Sequence, residues 1–106
     1  MNSIFNNFNN NQQNKSIKVN DMNNFDTLQK ARQDLVGEIQ AIMEYDNHIH
    51  TSMDNVARAT WENIKNEELT HVGELLALLN YLEPQQMQFV QDGINEFNKR
   101  LNNNNM

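Results

Sequence analysis

Two stretches of this 106-residue sequence decide its fold: residues 35–49, LVGEIQAIMEYDNHI, and residues 62–76, ENIKNEELTHVGELL. In and around both, apolar residues recur in alternating steps of three and four, the spacing that places them on one face of an α-helix. The first stripe is Leu28, Ala31, Leu35, position 38, Ile42, Tyr45 and Ile49. The second is Ala57, Trp61, Ile64, positions 68 and 71, Leu75, Leu78 and Leu82. The pattern predicts two long amphipathic helices and an all-α fold.

Capping residues set the expected helix boundaries. Asp26 is the candidate N-cap of the first helix, and Ser52 or Asp54 is that of the second. The second helix is expected to end at Glu83, because a following proline disfavours helical geometry in the residue before it. Pro84 then suits the first turn of a shorter third helix. The apolar side of that helix carries Met87, Val90, Ile94, Phe97 and Leu101.

Both ends of the chain are rich in asparagine. Ten of the first 24 residues are asparagine, as are all of residues 102–105. Segments this polar bury too little apolar surface to offset the entropy of ordering them, so residues 1–24 and 102–106 are expected to be disordered tails. The folded part is then residues 25–101, an antiparallel helical hairpin plus the third helix. A core of that size seldom supplies more than about 3–5 kcal/mol alone, which favours association with a second copy.

The composition excludes several classes of protein. The chain has no cysteine, so neither disulfides nor cysteine-ligated zinc or iron–sulfur sites can form. No run approaches the roughly 18 apolar residues of a membrane span, and no secretory signal is visible at the start. The formal net charge of −6 and the lack of a Lys/Arg cluster argue against nucleic acid and favour cations as partners.

Three positions of the two apolar stripes hold ionisable residues, Glu38, Glu68 and His71. A buried, unpaired carboxylate costs several kcal/mol, so these groups must be protonated, paired or bound to a metal. If the turn centres near Met53, Glu38 and Glu68 lie at the same level, and Glu-x-x-His is the spacing by which a bundle helix presents two metal ligands. Carboxylate oxygen with imidazole nitrogen suits iron, manganese or zinc. Glu67 is an alternative ligand, but it falls on the polar side of the helix.

A single hairpin supplies half of a di-metal site. A di-iron carboxylate bundle requires two lone glutamates and two Glu-x-x-His motifs, which points to a homodimer. Two hairpins across a two-fold axis would form a four-helix bundle with Glu38, Glu68 and His71 of both chains around two metals. Two divalent ions would then neutralise four carboxylates. Without metal, the same residues would form a buried polar network that fixes helix register.

The spacing of four residues is similar to that of a known family. Glu38 and Tyr45 lie seven residues apart, and Glu68 and His71 follow Glu38 by thirty and thirty-three residues. Over residues 28–82 the chain resembles the encapsulated ferritins, half-length, two-helix relatives of ferritin and rubrerythrin. The resemblance implies that Glu38, Glu68 and His71 are iron ligands at a dimer interface. It also implies that Tyr45 lies close to the metals and acts with the ligands in catalysis.

The resemblance further implies an activity, a location and partners. The activity is that of a ferroxidase, which oxidises Fe(II) to Fe(III) with dioxygen, uses two irons per subunit pair, and serves iron storage or detoxification. The expected protein is cytoplasmic and forms a ring of dimers, such as a decamer, with an encapsulin shell as a partner. Two departures are visible. Gly37 and Gln40 stand where family members often carry further carboxylates, and no Gly-Ser-Leu-like shell-addressing peptide is seen near the C-terminus, which favours a free-standing relative.

Two other functions are compatible with the residues. A rubrerythrin-like, peroxide-reducing di-iron site would use the same ligands, with an external electron source because the chain lacks cysteines for a rubredoxin-type donor. A metal-free helical interaction module would keep the hairpin and leave the polar residues as a network. His48 and His50, near the end of the first helix, are expected to face solvent.

Overall fold

The computed structural model describes residues 21–104, with side chains from Asn24 onward. Three helices occupy nearly all of this part: α1, Asp21–Thr51; α2, Asn55–Leu82; and α3, Pro84–Asn104. No strand occurs in the described part of the chain. The predicted all-α class is therefore confirmed.

The first helix begins earlier than its capping signal predicts. α1 starts at Asp21, five residues before Asp26, which lies inside the helix and forms an ion pair with Lys30 at 3.0 Å. Residues 21–25 contain neither proline nor glycine, so nothing in them interrupts the backbone hydrogen-bond ladder. Residues 21–24 of the predicted first tail are thus helical, and residues 1–20 lie outside the described part.

The turn between α1 and α2 follows the capping prediction more closely. Asp54 is the N-cap of α2, and its side chain accepts a hydrogen bond from the backbone N–H of Ala57 at 2.9 Å. Ser52 Oγ instead accepts from the N–H of Asp54 at 3.2 Å, inside the turn. α2 ends at Leu82, one residue before the predicted end. Glu83 is its C-cap and alone separates α2 from α3.

The first two helices pack against each other as the predicted antiparallel hairpin. Near the turn, the Lys65 amine of α2 reaches the Asp46 carboxylate of α1 at 2.9 Å. At the far end of the hairpin, the fully buried apolar side chains form one cluster. Its members are Leu28, Ala31, Leu79 and Met87, with Leu35, Leu76, Leu82 and Ile94 packed against it. This small core lies between the open end of the hairpin and the start of α3.

The middle of the hairpin is less enclosed than its stripe of apolar residues predicts. Ile42, Tyr45, Trp61 and Ile64 are only half-buried in the single chain. In a two-helix hairpin, one neighbouring helix covers part of the apolar face of each helix. In a four-helix bundle, the helices of the second hairpin cover the rest of that face. Dimerisation into such a bundle stays a prediction of the sequence.

The third helix begins as predicted and ends later. Pro84 is its first residue, and the helix runs to Asn104, three residues beyond the predicted end at Leu101. Asparagine is a weak helix former, with a cost of less than about 1 kcal/mol per residue, so the ladder continues through it. Residues 102–104 of the predicted second tail are therefore helical, and residues 105 and 106 lie outside the described part. None of the three helices is long and apolar enough to cross a membrane, within the residues that the structure describes.

Candidate metal centre

The three ionisable residues of the apolar stripes meet in the hairpin. Glu38 comes from α1, and Glu68 and His71 lie one turn apart on α2. The Nδ1 atom of His71 is 3.3 Å from Glu38 Oε1 and 3.9 Å from Glu68 Oε2. One ligand atom from each residue lies within 4.8 Å of the others. The predicted cluster is therefore present within a single chain, and the antiparallel register of the hairpin produces it.

The cluster is partly shielded from solvent. The side chains of Glu38 and Glu68 are about 21% and 20% exposed, whereas that of His71 is 47% exposed. Glu38 Oε2 is buried and has no hydrogen-bond partner in the described structure. A buried acceptor without a partner costs about 1–3 kcal/mol, so this oxygen is available to a cation or a donor from outside the chain.

The cluster changes the proton affinity of Glu68. The pKa of Glu68 is raised above the ordinary carboxyl value, mainly by its hydrogen bond with Glu38, then by desolvation and by the Glu38 charge, and least by Glu67. The charge interaction with His71 opposes this rise. Glu68 therefore binds a proton more readily than a free glutamate does, and a cation at the cluster would compete with that proton.

The cluster lies in an open groove between α1 and α2 with a volume of about 490 Å³. The groove is lined by Gln33, Asp34, Gly37, Glu38, Glu68, His71, Glu74 and Leu75. Asp34 and Glu74 are carboxylates that the sequence analysis did not single out. Asp34 precedes Glu38 by four residues and Glu74 follows His71 by three, so helical spacing from the predicted ligands would have found both.

Three other residues considered in the sequence analysis, Tyr45, His48 and His50, do not line this groove. Tyr45 is half-buried two helical turns beyond Glu38, and its ring meets that of His48 edge-on with centroids 6.2 Å apart. His48 also packs against Trp61, with ring centroids 5.0 Å apart. The solvent exposure predicted for His48 and His50 is confirmed. The metal-proximal role of Tyr45 stays a prediction.

The two neighbouring glutamates of α2 differ in position, and the preference for Glu68 over Glu67 as a ligand stays a prediction. Glu68 lies in the cluster, while Glu67 is exposed and outside the groove lining. The donor set is thus two carboxylates and one imidazole. This set fits Fe(II), Mn(II) or Zn(II) better than Ca²⁺ or Mg²⁺, which favour shells made of oxygen alone. These three residues would hold such a metal and would leave it further coordination positions for other ligands.

Comparison with protein-family models, with curated proteins and with solved structures finds no match to this chain. The class of the protein therefore rests on its own fold and site: residues 21–104 form three helices, of which the first two make a hairpin around a Glu–Glu–His cluster.

Proposed function

We propose that this chain is a ferroxidase, which oxidises Fe(II) with dioxygen at a di-iron site completed by a second copy. The observation that supports the proposal is the meeting of Glu38, Glu68 and His71 within 4.8 Å of one another. Their two oxygen donors and one nitrogen donor suit Fe(II). The unpartnered Glu38 Oε2 adds an acceptor that a cation would satisfy.

The open groove supports a site shared between two copies. A two-fold contact brings the same surface patch of both chains together, so each chain would contribute its own Glu38, Glu68 and His71. Four carboxylates and two imidazoles would then surround two iron ions, the ligand count of di-iron carboxylate bundles. The same contact would cover the half-buried stripe residues beside the cluster. A closed ring of such dimers, such as a decamer, belongs to this proposal, as does a cytoplasmic or encapsulin-enclosed location.

Iron is the substrate of the proposed reaction. Two Fe(II) ions each lose one electron, and dioxygen takes up both electrons with two protons to become hydrogen peroxide, leaving two Fe(III). The residues of this chain hold the cations, and their negative charge favours the more highly charged Fe(III) product. Because the pKa of Glu68 is raised, binding of Fe(II) would compete with a proton at that carboxyl group, and a displaced proton would leave to solvent. Tyr45 is proposed to lie beside the site in the assembled bundle.

The test is Fe(II) oxidation by the full chain. The protein is loaded anaerobically with Fe(II) and exposed to air, and Fe(III) formation is followed by its ultraviolet absorbance. We expect oxidation faster than in buffer, and a loss of ~10-fold or more in Glu38→Ala and His71→Ala. Glu67→Ala is the matched control, because it removes an exposed carboxylate next to Glu68 and should leave the rate unchanged.

Two results would contradict the proposal. Oxidation by the wild-type chain no faster than in buffer would exclude ferroxidase activity. Faster turnover with hydrogen peroxide than with dioxygen would assign the rubrerythrin-like reaction instead.

A metal-free interaction module is the second candidate, and the contacts within the cluster favour it. The contacts of His71 with Glu38 and Glu68 form a polar network without any metal. In this case Glu38→Ala and Glu68→Ala would leave association intact or strengthen it, since removal of a buried polar network is often neutral or stabilising. A metal-held interface would instead weaken on chelation. Sedimentation of wild-type and variant chains with and without chelator separates the two candidates.

A further inference from the structure

A second pocket lies where the start of α3 meets the open end of the hairpin, and it is called the junction pocket below. All three helices contribute to it, and its volume is about 210 Å³. Its lining includes three apolar residues, Leu28, Leu79 and Met87, and three polar ones, Arg32, Glu83 and Gln86. The junction pocket shares no lining residue with the groove of the metal cluster.

The apolar wall of the junction pocket is part of the protein core. Leu28, Leu79 and Met87 belong to the cluster of buried apolar residues, so core packing holds their side chains in place. The pocket is smaller than the roughly 300–1,000 Å³ of sites for drug-sized ligands. Its volume is that of about seven molecules of liquid water, which suits a ligand of fewer than about ten non-hydrogen atoms.

Arg32 supplies a positioned positive charge at this wall. Its Nη1 donates a hydrogen bond to Gln29 Oε1 at 2.8 Å, and its Nη2 donates to Gln86 Oε1 on α3. Both acceptors are neutral amides, so they orient the guanidinium without compensating its charge. A guanidinium has five N–H donors, of which these bonds use two. The remaining donors suit a carboxylate, which a guanidinium binds through charge-assisted and often paired hydrogen bonds.

Glu83 supplies a negative charge to the same pocket. It is the single residue between α2 and α3, and its backbone is held on both sides. Its N–H donates to the carbonyl of Leu79 at 2.9 Å, and its carbonyl accepts from the N–H of Met87 at 3.3 Å. Neither Glu83 nor Arg32 forms an ion pair within the part of the chain that the structure describes. Two opposite charges therefore line one small pocket without neutralising each other.

We infer that the junction pocket binds an α-amino acid with an aliphatic side chain, such as leucine. The carboxylate of the ligand pairs with Arg32, and its ammonium group pairs with Glu83. The aliphatic side chain lies against the buried apolar wall, where it leaves water. This arrangement matches the sign of each charge and the apolar character of the wall, and leucine is of the size that the volume allows. It involves no residue of the metal cluster, so it does not rest on the proposed function.

The first test locates the binding of L-leucine on the full wild-type chain, in the presence of a chelator. We expect two-dimensional NMR to show saturable shifts of the backbone amide signals of Leu28, Leu79 and Met87 at millimolar leucine. The signals of Glu38 and His71 should stay in place. The absence of shifts at the pocket, or shifts of equal size at the pocket and at the metal cluster, would overturn the inference.

The second test separates the two charges of the ligand by titration with leucine and two analogues. Isocaproate lacks the ammonium group, and isoamylamine lacks the carboxylate. We expect leucine to bind ~10-fold or more tightly than either analogue, because each analogue loses one charge-assisted contact. Equal affinities for the three compounds would show that only the apolar wall binds and would overturn the inference.

Variants assign each charge to its residue. Arg32→Gln should weaken leucine binding by ~10-fold or more and leave isoamylamine binding unchanged, and Glu83→Gln should weaken leucine but not isocaproate. Arg58→Gln, at an exposed position of α2 outside the pocket lining, is the matched control and should bind leucine like wild type. Equal leucine affinities for Arg32→Gln and Arg58→Gln would contradict the assignment. If loss of the Arg32 bond to Gln86 unfolds the first variant, the three-ligand comparison on wild type still decides. Neither test involves iron or dioxygen, so this inference and the proposed function fail independently.

Discussion

At the scale of single residues, the chain departs from an apolar core in two ways. Glu38, Glu68 and His71 occupy stripe positions, where they contact one another at the edge of a groove. Asn80 is buried to 1% exposure, and both its Oδ1 and its Nδ2 lack a hydrogen-bond partner in the described structure. The sequence pattern predicts the first departure, because charged residues interrupt an apolar stripe. It does not predict the second, because Asn80 lies off both stripes.

The raised pKa of Glu68 predicts a pH dependence of stability in the metal-free protein. A folded-state pKa above the ordinary value of 4.5 means that the folded state binds the proton more tightly than the unfolded chain does. The stabilisation is therefore fully present below that value and is lost as pH rises through the raised folded-state pKa. In chelator, wild type should lose thermal stability from mildly acidic to neutral pH relative to Glu68→Gln. Parallel curves for the two would contradict this, and Glu44→Gln, at an exposed position of α1, should behave like wild type.

The buried amide of Asn80 predicts a stabilising substitution. Each unsatisfied buried polar group costs about 1–3 kcal/mol, so Asn80→Leu should raise the free energy of unfolding by about 1–3 kcal/mol. Urea denaturation followed by circular dichroism measures the change. Asn66→Leu, at an exposed position of the same helix, should change stability by less than about 0.5 kcal/mol. A loss of stability in Asn80→Leu would show that a water or a second chain satisfies the amide.

At the scale of helices, the boundaries predicted around Pro84 agree with the structure, whereas the start predicted at Asp26 does not. Pro84 is the first residue of α3, and α2 ends within one residue of its predicted end. Asp26, in contrast, lies inside α1, although its residue type suits a cap. Proline lacks a backbone N–H and clashes with the preceding turn, so it interrupts a helix regardless of the residues around it. An aspartate caps a helix only if the chain before it leaves the helix, and residues 21–25 do not.

The cap of α2 gives a prediction at the same scale. Asp54→Ala removes the side-chain acceptor of the Ala57 N–H and should lower the free energy of unfolding by about 0.5–2 kcal/mol. Ser52→Ala removes only the acceptor inside the turn and serves as the comparison. Thermal unfolding at one protein concentration measures both. An effect of Ser52→Ala equal to that of Asp54→Ala would mean that the turn, rather than the helix cap, limits stability.

At the scale of the whole molecule, the described residues bury little apolar surface. Among them, four apolar residues at the open end of the hairpin are fully buried, and the middle of the hairpin is only half-covered. Small cores of this kind are usually completed by a metal or by another chain. The metal cluster and the exposed apolar side chains along the helices are the features through which either completion would act.

Metal binding should therefore stabilise the whole fold. Zn(II), which undergoes no redox reaction, should raise the free energy of unfolding by about 2.7 kcal/mol when free Zn(II) is 100 times its dissociation constant. Calorimetric scans with and without Zn(II) measure this shift. Glu67→Ala should show the full shift, while His71→Ala should show little of it. An equal shift in wild type and His71→Ala would place metal binding elsewhere on the chain.

The sequence by itself determined the helices and their order, because apolar spacing, Pro84 and the short connection near Asp54 act locally. It also predicted the meeting of Glu38, Glu68 and His71, since an antiparallel hairpin of known turn position fixes which residues share a level. Only the tertiary structure decided which side of the hairpin is open and which residues beside the predicted ligands, Asp34 and Glu74, line the groove. It also decided where α3 covers the hairpin. These outcomes depend on the rotation of each helix about its axis and on the angle at which the helices cross. Side-chain packing sets both quantities, whereas residue spacing does not determine them.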